Sequence, residues 1–132
     1  MGTSVALAGC VSTARTTATS VSSVEPASRA QIIDALAGGL FGAIDDGQAG
    51  RADRMLALEA EYRALEHTPA GQTVPWRSER SALSGEVTAA QPYRVGSQDC
   101  RPYAHKVNRG GETRTARGTA CRNADGSWTP LT

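Results

Sequence analysis

Two glycines and two cysteines constrain this chain more than any other feature. Gly110-Gly111 separates two runs of alternating residues that end, on the far sides, at Cys100 and Cys121. Glycine adopts the positive φ angles that a two-residue hairpin turn requires. With that turn, Arg109 faces Glu112, and counting outward places Cys100 opposite Cys121. Alternation from the hydrogen-bonded pair at the turn makes the cysteine pair a non-hydrogen-bonded one, where side chains approach most closely. Turn and cysteines thus require the same register, and that register suits a disulfide. The ring closed is about twenty residues, worth about 3 kcal/mol by constraint of the unfolded chain. Pro102 is compatible, because its missing N–H points away from the partner strand.

The hairpin predicts a sheet around it. After Pro69 the chain consists of short β-type runs punctuated by Gly, Pro and Asn. Strands are expected near 72–77, 86–90, 93–95, 100–108, 112–121 and 127–131, with Asp125-Gly126 turning into the last. Before Pro69 the period changes. Met55, Leu58, Tyr62 and Leu65 form a helical stripe from about Arg51 to Glu66, and Glu59 and Arg63 stand four apart as a favourable pair. Pro69 and Gly71 end that helix. The stripe is expected to pack on the sheet or to join a coiled-coil partner.

Further upstream, Ser28-Arg29-Ala30-Gln31 has capping-box form. Ile32, Ile33, Leu36, Leu40 and Ile44 follow at helical spacing, and Ala35, Gly39, Ala43 and Gly47 recur at every fourth residue. Small residues at this interval allow close helix approach in membranes. The uncharged stretch, Ala35 to Ile44, is half the length that a membrane span needs. It suits association with another helix, self-association or contact with a bilayer, or else is a weak surface helix.

The third cysteine, Cys10, ends the run Leu7-Ala8-Gly9-Cys10, which has the form of a bacterial lipobox. Small residues before the cysteine admit a signal peptidase, and the thiol takes the lipid. A chance match in an alanine-rich sequence is the alternative. Residues 1–9 lack a basic start and a full apolar stretch, so they read as a truncated lipoprotein signal. Residues 10–30 read as the lipidated cysteine and a Ser/Thr-rich disordered tether, 31–67 as Gly-rich and amphipathic helices, and 69–132 as an antiparallel β domain. The expected class is α+β. With Cys10 consumed by lipid, Cys100 and Cys121 remain as an even pair.

Charge is uneven. Residues 1–68 hold five arginines against eight acids, whereas 69–132 hold nine bases against five. A mildly basic sheet suits anionic lipid, glycan or protein, with Arg77, Arg94, Arg101, Arg114, Arg117 and Arg122 as candidate contacts; the same residues also serve simple solubility. No nucleic-acid partner is expected. No CxxC pair occurs, only His67 and His105 are present, and no phosphate loop or Ser-His-Asp order is recognisable. Cys100 and His105 lie an odd number of residues apart and so project from opposite faces of a strand. Neither a metal site nor a cofactor nor a catalytic set is expected. Trp76 and Trp128 read as core or rim residues.

Ala52-Asp53-Arg54 with Ala64-Leu65-Glu66, PAGQTVPWR at 69–77, YRVGSQDCRPYAHKV at 93–107 and GTACRNADGSW at 118–128 resemble the rickettsial-type 17 kDa surface antigen family. The most specific part is Cys100-Arg101, Tyr103, Gly118, Ala120-Cys121-Arg122 and Asp125 to Trp128. The resemblance implies an outer-membrane lipoprotein of proteobacteria, with a lipobox, a glycine-zipper-like segment, a short helix and a compact β domain in that order. It implies no enzymatic activity. The role expected for such a chain is structural, in support of envelope integrity, with membrane attachment through the N-terminal lipid. The loop at 78–85, SERSALSG, stands where that family usually has an Asn-Pro-rich turn.

Overall fold

The structure is a computed structural model that describes residues 24–131, with Gly2, Thr3 and Gly9. Cys10 and the rest of the expected signal and tether up to residue 23 lie outside the described residues. Three helices, α1 (Arg29–Ala35), α2 (Gly39–Asp45) and α3 (Arg51–His67), precede six strands: β1 (Thr73–Arg77), β2 (Leu83–Ala89), β3 (Tyr93–Val95), β4 (Gln98–Arg109), β5 (Glu112–Arg122) and β6 (Trp128–Pro130). The strands form one antiparallel sheet in the order β1-β2-β4-β5-β6, with β3 also on β4. The class is α+β, as expected.

The hairpin register holds at every pair from Arg109↔Glu112 to Cys100↔Cys121, and the cysteines form a disulfide. β2 and β3 lie end to end along the other edge of β4, β2 against 103–109 and β3 against 98–100. Pro102 falls in the gap between them, where no ladder needs its N–H. β2 starts earlier than the sequence suggests. Ser84 and Gly85 are poor strand formers, yet they pair with Arg77 and Trp76 of β1.

The sheet is covered on one face. Val74, Trp76, Leu83, Val87, Ala89, Tyr103, Val107 and Ala120 meet Leu36, Phe41, Ala57, Leu58, Ala60, Ala64 and Leu65 in a single core. Burying an aliphatic or aromatic side chain there is worth about 2 kcal/mol. The α3 stripe is rotated from its expected position. Its buried face is Ala57, Leu58, Ala60, Glu61, Ala64 and Leu65, while Met55 and Tyr62 sit at its borders. Three alanines and a glutamate do not announce a core face, but small side chains let α3 approach the strands. Glu59 does not pair with Arg63; it bonds Arg29 of α1.

The Gly-rich segment is two helices and not one. Its predicted capping box forms at Ser28 and Gln31. The helix then stops at Leu36, because Ala37 and Gly38 take positive φ angles of 50° and 84°. The chain turns and restarts as α2, which lies over β5 and β4. Among the described residues, no helix is long and apolar enough to cross a membrane. Ala27 already donates its N–H to the Asp125 carbonyl, 2.9 Å away, so the last part of the expected tether rests on the β5–β6 turn.

Candidate functional site

Polar side chains that the sequence offers for binding or chemistry converge at the buried boundary between helices and sheet. Glu61 of α3 and His105 of β4 are both wholly inaccessible to solvent. Their side chains meet at 2.9 Å, Nδ1 to Oε2. The Trp76 indole N–H reaches His105 Nε2 at 2.8 Å. An indole nitrogen only donates, so Nε2 accepts and Nδ1 carries the proton. His105 is therefore a neutral ring that donates to Glu61. The same carboxylate accepts the backbone N–H groups of Leu40 at 3.0 Å and Phe41 at 2.9 Å, in the first turn of α2. One buried glutamate thus connects α3, α2 and β4, and β1 through the histidine.

Two glycines make room for this chain of bonds. A Cβ at Gly39 would stand 2.4 Å from Glu61 Oε1, and its φ of +57° also favours glycine. A Cβ at Gly85 would stand 2.5 Å from Trp76 Nε1, so only glycine lets the indole cross β2 to reach His105. Phe41 closes the site, edge-on to Trp76 with ring centres 5.7 Å apart. The Tyr103 hydroxyl is buried with no hydrogen-bond partner among the described residues. Burial, and then the Glu61 charge, push its phenol well above the ordinary tyrosine value. A donor, an acceptor and a ring nitrogen in sequence resemble a proton path, but nothing opens it to solvent. It holds elements together.

The other end of α3 is secured by Arg101. Its guanidinium is buried and donates to the carbonyls of Ala64, Leu65, Thr68 and Ala90 at 2.7–3.0 Å. It satisfies the orphan carbonyls at the helix C-terminus and complements the dipole. Burial lowers its pKa from the ordinary arginine value. In the same last turn, Arg122 grips Glu66 with two bonds of 2.9 and 3.0 Å, and the Trp128 indole donates to the same carboxylate at 2.8 Å. Burial raises the Glu66 pKa, but these donors outweigh it and hold the carboxyl below its usual range. At the N-terminus of α3, Ser78 and Ser81 donate to Asp53 at 2.5 and 2.8 Å and hold its carboxyl low as well. The serine-rich loop at 78–82 thus has a specific task, to clasp the first turn of α3.

The six candidate arginines do not share a surface. Arg101 and Arg122 are engaged internally, Arg94 pairs with Asp99, and Arg114 with Glu112 and Asp46. Arg77 lies on β1, in a groove beside Arg51 and Arg80, and Arg117 is exposed on β5. Cys100 and His105 occupy opposite faces of β4, as their spacing requires: His105 faces the helices, and the disulfide lies on the other side of the sheet. Among the described residues, no group of three or more His, Cys, Asp or Glu is placed to hold a metal ion. The roles of Glu61 and Glu66 escaped the sequence reading. Each sits on the buried or half-buried side of α3, next to expected core positions, which is the one signal that pointed to them.

The family described as 17 kDa outer membrane surface antigen matches residues 63–129, from the end of α3 into β6. The 17 kDa surface antigen of Rickettsia bellii (strain RML369-C) is 43% identical over 77 residues, 58% of this chain and 48% of the relative. The corresponding antigens of Rickettsia felis (strain ATCC VR-1525 / URRWXCal2) and Rickettsia prowazekii (strain Madrid E) are 44% and 39% identical over the same length and coverage. The chain spans about half the length of the curated relatives it matches. No solved structure matches it. The matched stretch contains the disulfide, both clamping arginines and the strands that carry them, so this chain belongs to the 17 kDa outer membrane surface antigen family.

Proposed function

We propose that this protein is a non-enzymatic outer-membrane lipoprotein with a structural or envelope-integrity role. Lipid on Cys10 anchors it, the Ser/Thr-rich stretch spaces it from the bilayer, and the stapled module is displayed beyond. The observation that carries this reading is the order of parts: Leu7-Ala8-Gly9-Cys10, then a polar tether, then a small disulfide-closed domain. A disulfide fits an oxidising compartment. The relatives' description as surface antigens supports the location. The non-enzymatic reading rests on where the reactive side chains are used. His105, Glu61, Glu66, Arg101 and Arg122 all bond to other parts of the fold.

The test is mass spectrometry of the Cys10 peptide from native envelopes. A diacylglyceryl-modified and N-acylated cysteine is expected, and Cys10→Ser should move the protein out of the membrane fraction. An unmodified Cys10 in membrane-bound protein would refute the anchor. A ligand-binding role through the six arginines has less support, since Arg101 and Arg122 are committed to α3.

A further inference from the structure

We propose that the protein pairs with a second copy of itself along the free edge of β5, in an antiparallel junction centred on Thr115. β5 is bonded on one side by β4 along its whole length, but on the other β6 covers only Ala120–Arg122. In an antiparallel ladder, alternate residues direct both backbone groups to the same neighbour. The turn pair Arg109↔Glu112 sets the phase, so Thr113, Thr115, Arg117 and Thr119 point away from β4. The Thr119 carbonyl confirms it, accepting the Leu131 N–H at 2.8 Å. The N–H and C=O groups of Thr113, Thr115 and Arg117 have no partner among the described residues, and all three residues are exposed.

Such an edge is a template for another strand unless it is blunted. The remaining edges are blunted: β1 carries Pro75, and β3 and β6 are three residues long. From Thr113 to Gly118, β5 has no proline and no bulge. The row complements itself. With Thr115 opposite Thr115 of the second copy, Thr113 meets Arg117 and Arg117 meets Thr113. In each of these pairs both residues direct N–H and C=O into the junction, so each pair can exchange two bonds. No arginines stand directly opposite, because Arg114 then faces Ala116. Arg114 is already compensated by Glu112 at 3.1 Å and Asp46 at 3.6 Å.

A second feature lies above the same edge. Leu40 of α2 packs against Gly118 of β5. Ala43 and Ile44 follow three and four residues on and so share its flank. Leu40 and Ile44 are only partly buried, and Ala43 is exposed. A two-fold axis through Thr115 brings the two α2 flanks together over the joined strands. The small residues of the Gly-rich segment then permit close approach, and the apolar flank gains the cover it lacks in one copy.

Sedimentation of the full chain, in a concentration series reaching about 100 μM, should show a monomer–dimer equilibrium. Thr115→Pro removes an N–H that β4 does not use, so the fold and the Cys100–Cys121 disulfide should persist while the dimer is lost. A chemical readout accompanies it. In a Cys10→Ser background, Thr115→Cys should oxidise to a covalent dimer, because directly opposed residues of such a pair have Cα atoms about 5.5 Å apart. Lys106→Cys, on an interior strand, should not. A native chain that stays monomeric throughout overturns the proposal, even if β5 captures a strand of another protein. So does a dimer that survives Thr115→Pro, or equal crosslinking at positions 106 and 115.

Discussion

Glu61 joins α3, α2 and β4 through one buried carboxylate. Its two oxygens accept from Leu40, Phe41 and His105, and no water reaches them to compensate a lost partner. Glu61→Gln keeps the shape but turns one oxygen into a donor that faces another donor. The expected cost is about 3 kcal/mol in urea denaturation, because a buried group is left unsatisfied. Glu59→Gln, two residues earlier and only partly buried, with only Arg29 to lose, should cost less than about 1 kcal/mol. Little of this was legible in the sequence. A glutamate between Ala60 and Tyr62 reads as surface, and its partners lie 20, 21 and 44 residues away. The histidine was legible only by subtraction: spacing put it on the opposite strand face from Cys100 but could not say what waited there.

At the scale of the elements, the β4–β5 hairpin was the most legible part, because everything that sets its register is local. Gly110-Gly111 sets the phase, and strand geometry extends it for ten pairs to the cysteines. The Cys100→Ser/Cys121→Ser variant should lose about 3 kcal/mol of stability while keeping the same strand pairing. Reduced and oxidised protein compared by denaturant titration and hydrogen exchange would check both parts. The helices were less legible. One run of apolar residues at helical spacing predicted one element, but Ala37 and Gly38 turn the chain so that α2 can present its N–H groups to Glu61. Periodicity reports which residues are apolar; it does not report that a helix is interrupted to satisfy a carboxylate elsewhere.

For the whole molecule, the uneven charge has an internal explanation. The acidic half forms the helices and the basic half the sheet, and they meet at Arg109–Asp45, Arg114–Asp46 and Arg122–Glu66. Stability should therefore depend on pH from the acid side. Asp53 and Glu66 have folded pKa values below their ordinary 3.8 and 4.5. A depressed carboxyl stabilises the fold fully above its unfolded pKa, and that contribution is lost as pH falls through the folded value. Thermal unfolding should be nearly constant from pH 7 to about pH 5 and then decline steeply below about pH 4. Arg122→Gln, which removes the main donor to Glu66, should be less stable at neutral pH and decline less steeply in acid. An unchanged profile would show that Glu66 contributes little.

The sequence by itself determined the class of the fold, the disulfide, the phase of the central hairpin and the family. These rest on local signals: turn chemistry, period-two alternation, cysteine spacing and contiguous motifs. Only the tertiary structure decided where the charged residues go. Arg101 and Arg122 look like a binding surface along the chain, yet they serve as clamps on α3, because its terminal carbonyls and Glu66 need donors that only the sheet can supply. It also decided which edge of the sheet is open among the described residues, since β6 pairs only with Ala120–Arg122 and leaves Thr113, Thr115 and Arg117 directed outward. Such outcomes depend on which distant groups meet in three dimensions, and backbone hydrogen-bonding capacity left over after folding is not written in any local pattern.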